Sequence, residues 1–466
     1  MIKFGTSGWR GVIGEDFTFE SVRVATQGIA NYLRKNGLGS HGVVIGYDTR
    51  FLSEKFALEA ARTLAFNDVR AFLCSRDVPT PCVAFETIRR KADGAINFTA
   101  SHNPPEYNGL KYSTGNGAPA MTDVTKEIEQ EIERIRKIGE RIDVYEKEER
   151  METIDPKARY LTELKGKIDT EAIRQSGLRI AVDSLYGTAR DYLDYILLEM
   201  NIEARIIHNY RDPYFGGYSP ECNQKNLGEL RHIVGTEHFD VGLATDVDAD
   251  RFGIVDEHGR FISANMVIAL LSLYMKRSRK LEGGLARSVA TTRLVDVIAE
   301  KLDVPLYETP VGFKYIGELI LDDQIALGGE ESAGLSIRGH LPEKDGILAC
   351  LLVAEMMAVR KKKISELVSE MFAEFGCFYS RRVDLKLTPQ ISEKLAAKME
   401  RPPAELGGLT VSKVNKLDGL KLLFEDGTWL LIRTSGTEPV ARLYAEASSP
   451  KDLKKLISLG KSFIRA

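Results

Sequence analysis

Cysteine is scarce in this sequence and occurs in no pattern typical of disulfides or metal sites. The 466 residues include only five cysteines, Cys74, Cys82, Cys222, Cys350 and Cys377. Their number is odd, and no two of them form a Cys-x-x-Cys pair. A disulfide framework and a zinc knuckle are therefore excluded, and the cysteine content is typical of a protein from a reducing compartment.

Long hydrophobic runs are also missing. The longest, Ile347–Val359, has thirteen residues and contains Glu355. A membrane-spanning helix needs about 20 apolar residues, so this run predicts a buried helix of a globular protein. The N-terminus has no apolar segment typical of a signal peptide. We therefore expect a cytoplasmic protein without a membrane partner.

The sequence has no excess of charge of either sign. Its 64 lysines and arginines nearly balance its 67 aspartates and glutamates, for a formal net charge of −3. Because a surface that binds nucleic acid usually carries a basic excess, no nucleic-acid partner is expected. Hydrophobic residues make up 43% of the chain and charged residues 28%, as in ordinary soluble globular proteins.

The length predicts three or four domains, at about 150 residues per domain. Predicted strands at Val43–Tyr47, Arg179–Asp183 and Ser288–Thr292 are each followed by a helical pattern, which is typical of α/β layers. A charged stretch, Asp123–Arg150, predicts a solvated helix and linker. The last part of the chain alternates as half-exposed strands do and closes with a helix, Lys451–Ile464, which predicts a small α+β domain. The predicted domains are residues 1–150, 151–258, 259–375 and 376–466.

The first motif with possible chemistry is Thr99–Pro104, which directly follows a short apolar strand, Ala95–Phe98. Open α/β sheets bind ligands at the carboxyl ends of their strands. Ser101 could therefore act as a nucleophile or carry a phosphate, and His102 could position or exchange a proton. The alternative is an ordinary turn, because Asn and Pro favour turns.

The second motif is a group of three aspartates, Asp246, Asp248 and Asp250, after the apolar strand Val241–Ala244. Carboxylates this close repel one another, and a hard divalent cation removes the repulsion. Oxygen ligands alone favour Mg²⁺ or Ca²⁺ over zinc. The spacing also matches part of an EF-hand loop, but Arg251 stands where that loop needs Gly and the flanks are strand-like, so we reject an EF-hand. A solvated acidic loop is the remaining alternative.

Three further loops contain groups that bind phosphate or sugar. Arg433–Pro439 combines a guanidinium, hydroxyls and a glycine, which together can surround a phosphate. Gly328–Gly334 places adjacent carboxylates beside a hydroxyl, a set suited to polyols. Phe4–Gly11 is rich in glycine and presents Arg10. Each loop alone could be an inert turn, but the five motifs together predict phosphoryl transfer on a sugar phosphate.

These five motifs, in this order and over essentially the whole chain, resemble those of the α-D-phosphohexomutases, the family of phosphoglucomutases and phosphomannomutases. The resemblance implies three related α/β domains and a smaller C-terminal α+β domain around a central active-site cleft. It implies that Ser101 carries the transferable phosphate and holds Mg²⁺ together with Asp246, Asp248 and Asp250. The further residues that it implies are Arg10, His102 and Lys111 beside the phosphoserine, and Arg251, Gly312, Lys314, Glu330, Ser332, Lys344, Arg433, Ser435, Gly436 and Thr437 facing the substrate.

The reaction implied by the resemblance interconverts hexose 1-phosphate and 6-phosphate through a hexose 1,6-bisphosphate, which also serves as activator. Either His102 or Lys111 would handle the proton. The sugar loop, Gly329–Gly334, resembles that of phosphoglucomutases more than the Met-containing loop of dual-specificity phosphomannomutases. We therefore expect glucose to be preferred and mannose to be tolerated. Val247 stands where the family usually has Gly, and this departure leaves the three aspartates intact.

Other functions remain open at this point. The alternatives are a phosphoglucosamine mutase, a phosphatase that hydrolyses the phosphoserine, and a non-catalytic protein that binds sugar phosphates. The expected partners are small sugar phosphates, and the expected oligomeric state is a monomer or a homodimer.

Overall fold

The chain folds into four consecutive units, each built on one β-sheet. The computed structural model describes residues 2–5, 8–139, 142, 144, 147–434 and 439–465. Within these residues the strands form sheets of six, five, four and six strands. In the same part of the chain, no helix combines the length and the apolar character needed to cross a membrane.

The first unit holds a six-stranded sheet. Its elements are β1 (Trp9–Val12), α1 (Phe19–Lys35), β2 (Val43–Tyr47), α2 (Ser53–Phe66), β3 (Ala71–Cys74), α3 (Thr80–Arg90), β4 (Gly94–Phe98), β5 (Tyr107–Thr114), α4 (Thr122–Ile138) and β6 (Met151–Ile154). The strand order is β1-β5-β4-β2-β3-β6. All five residues of β2 are buried, as expected for a parallel strand covered on both faces.

The second and third units follow without a break. The second contains α5 (Lys157–Gly166), α6 (Thr170–Gln175), β7 (Arg179–Asp183), α7 (Leu193–Glu199), β8 (Glu203–Ile207), α8 (Gly228–Thr236), β9 (Val241–Thr245), β10 (Phe252–Asp256) and β11 (Phe261–Ile262). The third contains α9 (Ala264–Arg277), β12 (Gly284–Ser288), α10 (Leu294–Lys301), β13 (Leu306–Thr309), α11 (Phe313–Leu321), β14 (Ile325–Glu330), β15 (Gly334–Ile337), α12 (Gly346–Arg360) and α13 (Ile364–Phe375).

These three units share one topology. The first parallel strand lies between the second and the third, in the orders β4-β2-β3, β9-β7-β8 and β14-β12-β13. An antiparallel strand then pairs with the third: β5 with β4, β10 with β9, and β15 with β14. The turn between the third strand and its antiparallel partner therefore occupies the same place in each unit. The prediction of three related α/β domains is confirmed.

The fourth unit is antiparallel throughout. Its elements are β16 (Tyr379–Lys386), α14 (Pro389–Glu400), β17 (Glu405–Leu406), β18 (Leu409–Asn415), β19 (Leu420–Phe424), β20 (Trp429–Thr434), β21 (Val440–Ala447) and α15 (Pro450–Arg465). The strand order is β16-β21-β20-β19-β18-β17. Apolar residues of the sheet and of both helices form one core, so the predicted α+β architecture is confirmed.

The first three units share a continuous apolar core. It runs from Val44 of β2 through Ile180 of β7 to Leu327 of β14. The helix α12 lies within this core, and its residues from Gly346 to Ala358 are all buried. Asp345 caps the helix, because its Oδ1 accepts a hydrogen bond from the Leu348 N–H at 2.9 Å. The apolar run predicted as a buried helix is therefore confirmed.

The third unit departs from the predicted secondary structure. Ser288–Thr292 is predicted as a strand, but β12 ends at Ser288 and the residues after it form a turn. The charged Arg287 obscured the true strand in the sequence. Its side chain is buried because Asp296 and Glu308 neutralise it, with closest N···O distances of 2.5 and 2.7 Å.

The charged stretch predicted as a helix over Asp123–Arg150 also differs. The helix α4 ends at Ile138, and it is not wholly solvated because Ile128 and Ile132 are buried against α1. The predicted domain boundaries stay predictions. The first sheet takes β6 from beyond residue 150, and the second sheet takes β11 from beyond residue 258.

Replacing Leu352 by Ala should destabilise the protein more than replacing Val359 by Ala on the same helix. Leu352 is fully buried in the shared core, whereas Val359 is 42% exposed. The first change leaves a cavity and should cost about 2–5 kcal/mol of unfolding free energy, and the second should cost less than about 1 kcal/mol. Thermal and urea unfolding of both variants measure this difference, and equal losses would contradict the central place of α12.

Candidate active site

Ser101 lies in the turn between β4 and β5. It is buried, and its backbone φ of +48° places it in the left-handed region, which costs a residue other than glycine roughly 1–2 kcal/mol. Its N–H donates to Thr99 Oγ1 at 2.9 Å. Its Oγ donates to Asp246 Oδ2 of the second unit, also at 2.9 Å. The predicted serine and the predicted acidic motif are thus in direct contact.

The three aspartates of the second motif occupy the equivalent turn between β9 and β10. All three are buried, and carboxylate oxygens of Asp246, Asp248 and Asp250 lie within 4.8 Å of one another. The carboxyl group of Asp248 is held from the first unit, because Thr80 Oγ1 at the start of α3 donates to Asp248 Oδ2 at 2.6 Å. Asn97 in turn donates to Thr80 Oγ1 at 2.7 Å.

Lysines from two other units neutralise this acidic cluster. Lys111 Nζ, on β5, donates to Asp248 Oδ2 at 2.6 Å and to Asp250 Oδ2 at 2.8 Å. Lys344 Nζ, in the loop before α12, lies 3.2 Å from Asp250 Oδ2. The first, second and third units therefore each contribute charged groups to one buried site.

The environment moves the pKa values of two aspartates in opposite directions. Burial raises the pKa of Asp246 well above its usual range, and the negative charges of Asp248 and Asp250 raise it further. Burial would also raise the pKa of Asp250, but Lys111, Lys344 and Arg251 outweigh it and lower that pKa. The cluster thus combines Asp246, whose carboxyl group ionises less readily than usual, with Asp250, whose carboxyl group ionises more readily.

The acidic cluster fits Mg²⁺. Its donor set consists of carboxylate oxygens, which hard divalent cations prefer. Asp248 Oδ1 is buried and has no hydrogen-bond partner in the described part of the chain, so it retains a free lone pair for a cation. Asp246, Asp248 and Asp250 could therefore hold the metal, with Ser101 beside them.

Basic groups and a histidine surround the turn that carries Ser101. Arg10 Nη1, on β1, donates to Asn103 Oδ1 at 2.5 Å, and burial lowers the pKa of Arg10 to about 10, with a further contribution from Arg251. His102 Nδ1 lies 3.5 Å from Ser101 Oγ. Burial, followed by the nearby charges of Arg251 and Arg10, lowers the pKa of His102 well below its usual value, so its imidazole is neutral at pH 7.

The predicted sugar loop lies in the equivalent turn of the third unit, between β14 and β15. Glu330 is buried, and its Oε1 accepts from the Gly312 N–H at 2.7 Å. Gly312 has a φ of +134°, a conformation that favours glycine. Burial, together with the nearby charge of Glu331, raises the pKa of Glu330 to about 7. Ser332 follows in the same turn and is partly buried.

Arg433, on β20, pairs with an aspartate that contacts the third unit. Its Nη2 lies 2.8 Å from Asp418 Oδ2, and the same oxygen accepts from the Val311 N–H at 2.9 Å. The predicted phosphate-binding residues Ser435, Gly436 and Thr437 lie outside the described residues.

Lys314, which was predicted to face the substrate, contacts the first unit. Lys314 Nζ donates to Thr122 Oγ1 of α4 at 2.6 Å, so this lysine links the third unit to the first.

The sequence analysis did not identify Thr80, whose hydroxyl donates to Asp248. Its position at the start of a helix that follows strand β3 is the signal that could have identified it.

A sizeable cavity of the first unit lies away from this site. A space of about 1030 Å³ is lined by Trp9, Asp16, Arg23 and Arg136, among others of the first unit, and by none of the predicted site residues. The candidate site is therefore defined by the convergence of charged side chains and not by the size of a cavity.

Comparison with known proteins identifies the family. Models described as phosphoglucomutase/phosphomannomutase α/β/α domains I, II and III match residues 1–139, 158–259 and 263–375, and that of the C-terminal domain matches 382–458. A phosphoglucomutase/phosphomannomutase of Thermococcus kodakarensis is 32% identical over 98% of this chain and 97% of its own. The chain belongs to the phosphoglucomutase/phosphomannomutase family. It is therefore a phosphohexomutase, and the prediction of an isomerase that transfers phosphate intramolecularly is confirmed.

Other similar proteins agree on the fold and differ in the named substrate. A protein of Methanothermobacter thermautotrophicus named as a phosphoglucosamine mutase is 31% identical over 96% of this chain and 94% of its own. A solved structure from Thermus thermophilus, assigned as a phosphomannomutase, is 34% identical with a TM-score of 0.88 and covers 100% of this chain and 99% of its own. The sugar that this chain uses is a separate question.

Adding Mg²⁺ should raise the melting temperature of the wild-type protein, and a chelator should reverse the rise. A ligand at 100 times its dissociation constant stabilises the folded state by about 2.7 kcal/mol. Asp250→Asn should lose most of this Mg²⁺-dependent shift, because one ligand charge is removed from the cluster. Asp256→Asn, a buried aspartate at the end of β10 outside the cluster, should keep it. An equal Mg²⁺ response in both variants would contradict the metal site.

Glu330→Gln should gain stability relative to wild type as the pH rises from 5 to 8. The folded-state pKa of about 7 lies above the ordinary glutamate value of 4.5, so the folded protein binds this proton more tightly than the unfolded chain. The resulting stabilisation is present below pH 4.5 and is lost as the pH rises through 7. The expected gain is at most roughly 3 kcal/mol, measured by urea unfolding, and a difference between the proteins that does not change with pH would contradict it.

Proposed function

We propose that this protein interconverts hexose 1-phosphate and hexose 6-phosphate through a phosphorylated Ser101 and a hexose 1,6-bisphosphate, with glucose preferred. The observation that carries the proposal is the 2.9 Å contact from Ser101 Oγ to Asp246 Oδ2. In this contact a buried hydroxyl of one unit lies against the acidic cluster of another. This is the combination that phosphoryl transfer needs, since that reaction depends mainly on positioning and charge neutralisation.

The acidic cluster supplies the metal site in this proposal. Asp246, Asp248 and Asp250 would hold Mg²⁺ together with the phosphate on Ser101. When bound, the cation would neutralise charge on the transferred phosphoryl group. Thr80 would keep Asp248 in place through its hydroxyl, which donates at 2.6 Å.

The chain's own groups would perform the remaining steps. Ser101 Oγ gives its phosphoryl group to the free hydroxyl of the bound sugar phosphate and later accepts the other phosphate of the reoriented bisphosphate. Arg10, Arg251 and Lys344 are cationic groups close to the transferred phosphate. His102 and Lys111 are the two groups beside Ser101 and the cluster that can exchange the proton of the attacking hydroxyl.

Sugar and distal phosphate would be bound by the third and fourth units. Glu330 accepts hydrogen bonds from sugar hydroxyls and Ser332 donates to a sugar oxygen, while Gly312 fixes the orientation of Glu330. Arg433 grips the phosphate that is not reacting, with Ser435, Gly436 and Thr437 as proposed partners. Because the two phosphates alternate at Ser101, the sugar loop must recognise hydroxyls in both orientations of the sugar.

A phosphoglucosamine mutase is the second candidate, favoured by the 31% identical relative with that name. The two candidates differ only in the sugar, so a comparison of substrates separates them. A phosphatase would release free phosphate, and a sugar-phosphate-binding protein would show no turnover.

Ser101→Ala should abolish isomerisation and leave the fold intact. The hydroxyl is the proposed phosphate carrier, and its loss should change stability by about 1 kcal/mol or less. The measurements are turnover of glucose 1-phosphate and the intact mass, which should show one phosphate in the wild type and none in the variant. Ser113→Ala, on neighbouring β5, should keep both the activity and the phosphate. Turnover of the Ser101 variant within tenfold of wild type would rule out the carrier.

Glucose 1-phosphate should give a higher kcat/KM than mannose 1-phosphate under one assay condition. One misplaced hydroxyl in a buried site costs roughly 1–3 kcal/mol, which corresponds to a preference of about 5- to 150-fold. A higher value for mannose 1-phosphate or glucosamine 1-phosphate would overturn the glucose assignment and leave the mutase reaction standing.

A further inference from the structure

Arg50 is a charged residue with a fully buried side chain and no part in the reaction described so far. It follows strand β2 and has a relative exposure of 0%. Its Nε pairs with Asp48 Oδ2 at 3.2 Å. Asp48 is itself fixed, because its Oδ1 accepts from the Arg50 N–H and from Ser53 Oγ, each at 2.9 Å. Burying an ion pair costs desolvation free energy, which further contacts of the two side chains must offset.

The other four N–H groups of the guanidinium donate to the turn that carries Ser101. Nη1 donates to the carbonyl oxygens of Pro104 at 2.7 Å and Tyr107 at 3.0 Å. Nη2 donates to the carbonyl oxygens of Ser101 and Asn103. One planar group thus donates four hydrogen bonds to carbonyls of the segment from Ser101 to Tyr107.

This segment needs such support because its backbone is strained at the reacting residue. Ser101 has a left-handed φ of +48°, a conformation that persists only where the surroundings impose it. The Ser101 N–H is held by Thr99 Oγ1 at 2.9 Å, and its carbonyl is held by Arg50. The direction in which the Ser101 side chain leaves the backbone therefore depends on both contacts.

The second unit covers Arg50 from the other side. The ring of Phe215 lies over the guanidinium at 5.0 Å. Nearby, Arg211 Nη2 pairs with Glu54 Oε2 of α2 at 2.6 Å. The loop that joins β8 to α8 thus closes over Arg50 and keeps water from competing for the four carbonyls.

We infer that Arg50 is a positioning residue for phosphoryl transfer: its guanidinium holds the Ser101 turn in the orientation that the transfer requires. This inference rests on the proposed function. The partners of Arg50 are backbone carbonyls and Asp48, so it would act on the substrate only through the Ser101 turn. Its loss should therefore slow the transfer from Ser101 and leave sugar-phosphate binding nearly unchanged.

The test compares Arg50→Lys with Arg90→Lys and wild type. Lysine retains the charge opposite Asp48 but cannot reach four carbonyls with a planar fork. Arg90, on α3 of the same unit, pairs with Glu86 and Glu152 at 2.6 and 3.1 Å and controls for the general loss of a half-buried, ion-paired arginine. Each protein is phosphorylated with glucose 1,6-bisphosphate and mixed with glucose 1-phosphate in a single turnover.

The maximal rate of phosphate loss from Ser101 should fall about 100-fold in Arg50→Lys, as expected for a small misplacement of a reacting group. The glucose 1-phosphate concentration that gives half of this rate should stay within about threefold of wild type. Arg90→Lys should show the wild-type rate. Equal rates for the two variants, or a rise in half-saturation without a fall in rate, would overturn the inference.

A second pair of variants keeps the test decisive if Arg50→Lys does not fold. Phe215→Leu removes the ring over the guanidinium and should lower the maximal rate about 3- to 10-fold without changing half-saturation. Tyr214→Leu alters an exposed neighbour in the same loop and should have no effect. Equal rates in this pair would also overturn the inference. Failure of the wild type itself to transfer phosphate at Ser101 would instead overturn the proposed function.

Discussion

The rest of the structure depends on a buried balance of charge where three units meet. Asp248 and Asp250 of the second unit are paired with Lys111 of the first unit, and Asp250 is also paired with Lys344 of the third. Unpaired charges in such a place would be costly to bury. The three units must therefore dock closely to keep the cluster paired, and their shared apolar core holds them in that arrangement.

The topology explains why the functional groups converge at all. In each of the first three units the turn after the third parallel strand carries one candidate group: Ser101, the three aspartates or Glu330. These turns are short and connect paired strands, so each group is held on a rigid support. The proposed catalytic groups are thus distributed over three copies of one architecture, and they come together only where the three units are docked.

Local sequence patterns predicted much of this arrangement. The strands β2 and β19 and the helix α12 have clear apolar patterns, and the turns that carry Ser101 and the aspartates follow apolar strands. The strand β12 could not be found, because the charge of Arg287 is buried only through partners distant in sequence. Arg50 and Thr80 were missed for the same reason: the carbonyls that Arg50 binds lie 51 to 57 residues away, and the carboxylate that Thr80 holds lies 168 residues away.

The contacts of Lys111 with Asp248 and Asp250 affect how the proposed metal site would bind a cation. Lys111 already compensates part of the negative charge of Asp248 and Asp250. A cation in the proposed metal site would therefore compete with the ammonium of Lys111 for Asp248 and Asp250. This competition would lower the affinity for the cation, and the displaced ammonium of Lys111 would be free to pair with the phosphate proposed on Ser101.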